Sequence, residues 1–159
     1  MKIKLYAIGK IKTPYLKEGI EDYLIRLRPY VNVEIIEVKD EPLPSEPNQK
    51  EIMMAVNIEG ERVLKLIKPQ EYLIALDLNK KQFTSEEFAT FINQKLIDNG
   101  ASISFVIGGS YGLSEALKKR SNYSLSLSNM TFLHQMTRLI LLEQIYRSFK
   151  IINNETYHK

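Results

Sequence analysis

With no cysteine in 159 residues and only two histidines, chemistry in this chain has to come from oxygen, nitrogen or a bound cofactor. Two places collect suitable residues. The first is FVIGGSYGLSE, residues 105–115, where a β-branched and aromatic run (Ile103, Phe105, Val106, Ile107) ends at Gly108, Gly109 and Gly112. Ser114 then stands as a helix N-cap before Glu115. Strand, glycine loop and helix follow one another, and glycines at such a place let backbone amides approach a ligand that any Cβ would hold off. The loop reads G-G-x-x-G, neither G-x-G-x-x-G nor G-x-x-x-x-G-K-[ST], so an ordinary strand-to-helix turn accounts for it as well as a small-molecule site does. Ser110 and Tyr111 fill its middle and take no assigned role. The second place is the polar tail, where Tyr157, His158 and Lys159 set a stacking ring, a titrating imidazole and a cation within three residues. A terminus of this kind is frayed unless something ties it down.

The elements that must position these groups alternate along the chain. A strand over 3–8, a helix over 14–27 with Pro14 in its first turn and a strand over 31–38 come first. Pro42, Pro44 and Pro47 make 41–49 a long exposed loop. A helix over 50–67 and a strand over 72–78 follow. Thr84-x-x-Glu87 then reads as a capping box opening a helix that Asn99-Gly100 closes. After the glycine loop come a short helix over 115–120, a strand over 123–128 and a last helix over 131–152. Strands joined by crossover helices predict one α/β domain over 1–159, a mostly parallel sheet with helices on both faces. Three strand ends then become candidate ligand loops: 76–80 with Leu76, 108–112 with Gly108, and 127–132. Leu127, Ser128, Asn129, Met130, Thr131 and Phe132 offer consecutive backbone groups ahead of a helix N-terminus, suited to a purine edge or a carboxylate. A routine link with Asn129 as a turn residue explains them equally.

The last helix is too apolar to cover one sheet face. Leu139, Leu141, Leu142, Ile145, Tyr146 and Phe149 span a broad arc that Met136 and Ile140 widen, which points to burial on more than one side, most simply in a two-fold dimer, with full burial inside a monomer as the alternative. Arg138, Arg147 and Lys150 lie between them, after the Lys118, Lys119, Arg120 cluster, either as phosphate contacts or as flank pairs such as Glu143 with Arg147. A formal net charge of +3 permits an anionic partner without demanding one. Without a run of about 18 apolar residues or an apolar signal region, a cytoplasmic location is expected, with no membrane partner.

FVIGGSYGLSE followed by YSLSLSNMTFLHQMTRLILLEQIYRSFKIINNETYHK resembles the ribosomal RNA large subunit methyltransferase H family of the SPOUT class. The resemblance covers essentially the whole chain, with KIKLYAIGKIK and YLIALDLNKKQFTSEEFA also similar, and the carboxy-terminal third is its most specific part. It implies an α/β domain with a carboxy-terminal trefoil knot, an exception to the rule against threading. It also implies S-adenosylmethionine as cofactor, held by Leu76, Gly108 and residues 127–132. The reaction it implies is methylation of N3 of a pseudouridine in 23S ribosomal RNA on the assembled ribosome, by a homodimer. The Tyr157-His158-Lys159 triplet is implicated in activity, at the partner's site. Lys159 stands where the family often has arginine, which removes a bidentate phosphate contact there.

On that reading the sulfonium methyl is already activated, no metal is required, and the protein has only to align the displacement and leave N3 without its proton. His158 is the candidate base or orienter, and Arg138, Arg147 and Lys159 are charge stabilisers or RNA contacts. His134 is expected to cap or pack. A dehydrogenase would need the G-x-G-x-x-G that is absent. A ribosome-binding module that kept the fold without the chemistry remains as the alternative.

Overall fold

The computed structural model describes residues 1–159. Five strands, β1 (Lys2–Ile8), β2 (Asn32–Val38), β3 (Leu73–Lys81), β4 (Ser102–Ile107) and β5 (Tyr123–Leu125), form one sheet in the order β2-β1-β4-β3-β5. Every pairing is parallel. The helices between and after them are α1 (Pro14–Leu27), α2 (Gln49–Leu64), α3 (Ser85–Asp98), α4 (Glu115–Arg120) and α5 (His134–Ile152). α1, α3 and α5 cover one face and α2 and α4 the other.

Side chains alternate across a strand, so each central strand feeds two cores. Ile3 and Leu5 of β1, Ile74 of β3 and Ile103, Phe105 and Ile107 of β4 face the α1/α3/α5 layer. Tyr6, Ile8, Leu73, Ala75 and Val106 face the smaller α2/α4 layer. Burial on both faces explains why these runs read as continuously apolar. The α/β expectation therefore holds, and the parallel order puts the carboxyl ends of all five strands on one edge of the molecule.

The caps at Thr84 and Ser114 form as the sequence places them, Asn48 adds one that was not singled out, and Thr13 ahead of α1 makes no side-chain cap hydrogen bond. Asn48 and Thr84 each close a full capping box, with Glu51 and Glu87, and Ser114 Oγ accepts from the Leu117 N–H at 3.2 Å. Four boundaries differ by three residues each. α2 ends at Leu64 because the chain tightens into a Leu66 N–H to Val63 O turn ahead of Pro69. β5 stops at Leu125: Ser126 keeps its N–H bond to Lys81 O, but its Oγ donates to Ser128 O at 2.7 Å as the chain turns away, taking 127–128 out of the ladder. α5 begins at His134, since Leu133 keeps an extended conformation at φ −54° and ψ 130° and no side chain caps the end. β3 runs on to Lys81 with an irregularity: Leu76 and Lys81 both pair with Leu125, and 77–80 loop out between them through Asn79 at φ 58°.

The last helix has no exposed residue along its length. Leu141, Leu142, Ile145 and Phe149 are buried in the larger core, and Met136, Leu139 and Ile140 are half-buried.

Glu59 of α2 sits in the smaller layer at 8% exposure, and a Cβ on Gly109 would lie 3.0 Å from its Oε2. Burial pushes its carboxyl up to about 7, with Asp40 adding to the rise and the Glu41 N–H and Arg62 opposing it. The folded chain thus holds a proton that the unfolded chain releases near 4.5, so Glu59 costs stability as pH rises between about 4.5 and 7. Glu59→Gln should melt like the parent at pH 5 and higher than it at pH 8, by on the order of 2–3 kcal/mol, read from thermal or denaturant unfolding at the two values.

Candidate active site

The glycine loop is tight because its ends touch. A Cβ on Gly108 would fall 2.5 Å from the carbonyl carbon of Gly112, closer than any side chain can come, and Gly112 holds φ 84° while its N–H donates to Gly109 O at 3.1 Å. The loop is clamped from below as well. A Cβ on Gly60 of α2 would lie 2.8 Å from Ser114 Cβ, so the residue that caps α4 fills the hollow that Gly60 leaves.

Beside it, residues 126–133 hold themselves open. The Met130 N–H donates to Ser128 Oγ at 3.0 Å and the Ser126 N–H to Lys81 O at 2.9 Å. The backbone N–H groups of Leu127, Thr131 and Phe132 donate to nothing within the chain. These two loops, the 76–80 loop and the first turn of α5 enclose one cavity of about 990 Å³. Leu76, Gly108, Leu127, Ser128, Met130, Thr131 and Phe132 all line it, so the three strand ends singled out in the sequence do converge. Asn129 does not line it. It is exposed, and its side-chain oxygen accepts from the Gln82 side chain, the role of a turn residue.

Among the lining residues, Asp77 lay within the 76–80 loop without an assigned role, and Lys118, His134 and Thr137 were not placed at the cavity by the sequence. Asp77 directly follows Leu76, and Lys118 stands 3.7 Å from it, an ion pair set in the cavity wall. His134 and Thr137 come from the first turn of α5. Burial, and then the charge of Arg138, hold the His134 imidazole below its usual range, so it stays neutral near pH 7. His134 lines the cavity half-buried, and no side chain caps the start of α5. The signal for Asp77 was its place in the 76–80 loop, and for Lys118 its position one turn into a helix that begins at the glycine loop.

Arg138 is corrected by the structure. At 1% exposure it cannot meet a nucleic-acid phosphate: its guanidinium donates to Ile8 O at 3.1 Å, Gly9 O at 2.7 Å and Glu37 at 2.8 Å, and its Nε has no partner. Arg147 is likewise engaged within the chain. It pairs with Glu143, covers the Tyr157 ring at 4.7 Å and meets His158 Nδ1 at 3.2 Å. Glu143 raises the guanidinium's affinity for its proton still further.

The tail is tied down by these interactions. Tyr157 donates to Glu143 at 3.1 Å and lies 3.3 Å from the Tyr23 hydroxyl, with its ring edge-on to Tyr146. Burial first, then these neighbours, raise the phenol pKa. His158 Nε2 meets Glu86 at 2.7 Å, and Glu86 is held below the usual carboxylate range by its own backbone N–H and by His158. Lys159 is exposed. None of Tyr157, His158 and Lys159 lines the cavity of its own chain. No helix is long and apolar enough to cross a membrane.

Comparison with known proteins follows the same lines. A family profile described as predicted SPOUT methyltransferase matches residues 1–158. A ribosomal RNA large subunit methyltransferase H from Carboxydothermus hydrogenoformans is 51% identical over 159 residues, covering all of both chains. Another, from Symbiobacterium thermophilum, is 48% identical over 161 residues, again across the full length of both. Two solved structures are more loosely similar. A Legionella pneumophila methyltransferase with bound SAM aligns at TM-score 0.48 and 10% identity over 94% of this chain and 66% of that one. The tRNA (m1G37) methyltransferase from Aquifex aeolicus aligns at 0.48 and 13% identity over 92% and 70%. On the full-length relatives and the matched profile, the chain belongs to the ribosomal RNA large subunit methyltransferase H family of SPOUT methyltransferases.

Proposed function

We propose that this protein uses S-adenosylmethionine to methylate N3 of a pseudouridine in large-subunit ribosomal RNA, on the assembled ribosome and as a homodimer with a knotted carboxy-terminal part. The observation that carries the cofactor is the cavity at the carboxyl edge. Its walls combine a glycine that tolerates no Cβ, unpartnered amides at Leu127, Thr131 and Phe132, and an Asp77–Lys118 pair. Those groups match an adenine edge, a ribose diol and an amino-acid zwitterion in chemical kind. The ribosomal RNA substrate follows from relatives of about half identity along their full length, whose names state it.

In this reading Leu127 to Phe132 and Gly108 hold the adenosine through backbone groups, and Lys118 and Asp77 hold the charged end. When bound, the cofactor supplies a methyl group on a sulfonium already activated for transfer. The chain's share is to align the attacking nitrogen, exclude water and take up the N3 proton. His134, neutral and in the cavity wall, stands on the near side. Tyr157 and His158 dock on α1, α3 and α5 away from their own cavity, with Lys159 exposed beyond them, so the triplet serves the cavity of a second copy, with His158 as base or orienter of the target base. Arg147 and Glu143 position that triplet.

Labelled methyl transfer to ribosomes lacking the modification, with mass spectrometry of the product nucleotide, tests the reading directly. Label at N3 of a pseudouridine is expected, and ribosome binding without label would favour the non-catalytic module instead. Lys118→Met should weaken S-adenosylmethionine binding about 10-fold or more in calorimetry, the scale of one charge-assisted hydrogen bond. His158→Ala should bind the cofactor as the parent does and lose methyl transfer by about 100-fold or more. Gly108→Val should lose cofactor binding. Mixed dimers of these last two chains should recover transfer, because each contains one intact cavity facing one intact tail; no recovery would place the tail's action within a single chain.

A further inference from the structure

The carboxyl edge of the sheet is also where the chain leaves its strands through lysine. Lys10 and Lys12 follow β1, Lys39 follows β2 and Lys80 lies in the loop of β3. All four are exposed, and none enters a salt bridge, unlike Lys2, Lys4, Arg26, Arg62, Lys95, Lys118, Arg138, Arg147 and Lys150.

The carboxylates on the same edge are largely silenced. Glu37 pairs with Arg138, Glu41 with Arg62 and Asp77 with Lys118, while Glu59 is buried. Asp40 and, further out in the proline loop, Glu46 remain free. The edge thus carries surplus positive charge although the chain as a whole is only mildly basic.

Two of these lysines adjoin the cavity, and Lys10 and Lys39 extend the row along the same edge towards β2. Lys80 lines the cavity, and the Lys12 N–H donates at 3.3 Å to Gln135 in the α5 turn that supplies His134 and Thr137 to its wall. From β2 to β3 is three strand spacings, roughly 14 Å at about 4.8 Å each, wide enough to meet several phosphates of one strand. Tyr111, 51% exposed at the tip of the glycine loop, adds a ring on which a base can stack, a combination that suits nucleic acid better than an acidic protein.

We infer that Lys10, Lys12 and Lys39, continued by Lys80, form the phosphate-binding rim that seats the RNA backbone on either side of the target base. This rests on the proposed RNA methyltransferase function, and it moves RNA binding from Arg138 and Arg147 to residues with free charges. Flexible ammonium groups suit it, because a folded RNA presents phosphates at irregular positions that a fixed guanidinium fork would meet poorly.

The test is the salt dependence of binding to ribosomes purified from cells that lack the enzyme, using Lys10→Gln/Lys12→Gln/Lys39→Gln, which spares the cavity-lining Lys80. Every phosphate that the protein no longer neutralises lowers the slope of log K against log salt by about 0.7–0.9, so the triple variant should drop it by about two. KM for ribosomes should rise with kcat and S-adenosylmethionine affinity unchanged. Lys65→Gln/Lys68→Gln, exposed and unpaired at the amino edge away from the cavity, should match the parent. A parent slope and KM in the triple variant overturns the rim alone. A parent protein that binds no ribosomes overturns the functional reading and the rim together.

Discussion

Arg138 brings a full charge into a nearly dry space between α5 and the end of β1, and the arrangement of the site depends on how that charge is met. Three acceptors meet it: two carbonyls that β1 leaves free as it ends at Ile8 and Gly9, and the carboxylate of Glu37 on β2. A buried ion left without partners would cost several kcal/mol, so the first turn of α5 can settle in only one place on the sheet edge. His134 and Thr137 in that turn, and the 126–133 loop leading into it, are thereby fixed against the glycine loop. Packing alone would let a helix as evenly apolar as α5 rotate or slide. The guanidinium supplies the register.

The far end of the same helix is held by a different logic. Arg147 is shared among Glu143, the Tyr157 ring and His158, and His158 in turn reaches Glu86 on α3. One helix thus joins the cavity wall at its start to the docked tail at its end, about 19 residues and roughly 28 Å apart along its axis.

The parallel sheet, the Thr84–Glu87 capping box and the convergence of three strand ends were legible in the sequence because each is local or follows from the crossover rule, whereas the order β2-β1-β4-β3-β5 was not. Thr84 with Glu87 and Ser114 before Glu115 announce their helices with chemistry that acts over three residues. Arg138 and Arg147 were not legible as structural cations, because charge spacing along a helix is the same whether its partners are phosphates or carbonyls 130 residues away in sequence. Asn129 sat among true cavity residues and differs from them only in pointing outward to Gln82. The tail read as a frayed end, and it is tied by Tyr23 and Glu86, partners that sequence distance conceals. Asp77 and Lys118 form a site only because β3 and α4 are brought together, a fact of topology and not of motif.

β5 has three residues, one neighbour and a broken register, yet the loop that follows it forms a wall of the cavity. Stability within a domain is uneven, and a short edge strand of this kind opens long before the β1–β4 centre does. The empty protein should therefore breathe at this wall, exchanging the amide hydrogens of β5 and its loop far faster than those of β4. A ligand bridging that wall to the glycine loop closes the sheet's weakest edge, so part of its binding energy appears as slowed local opening with little change in global unfolding.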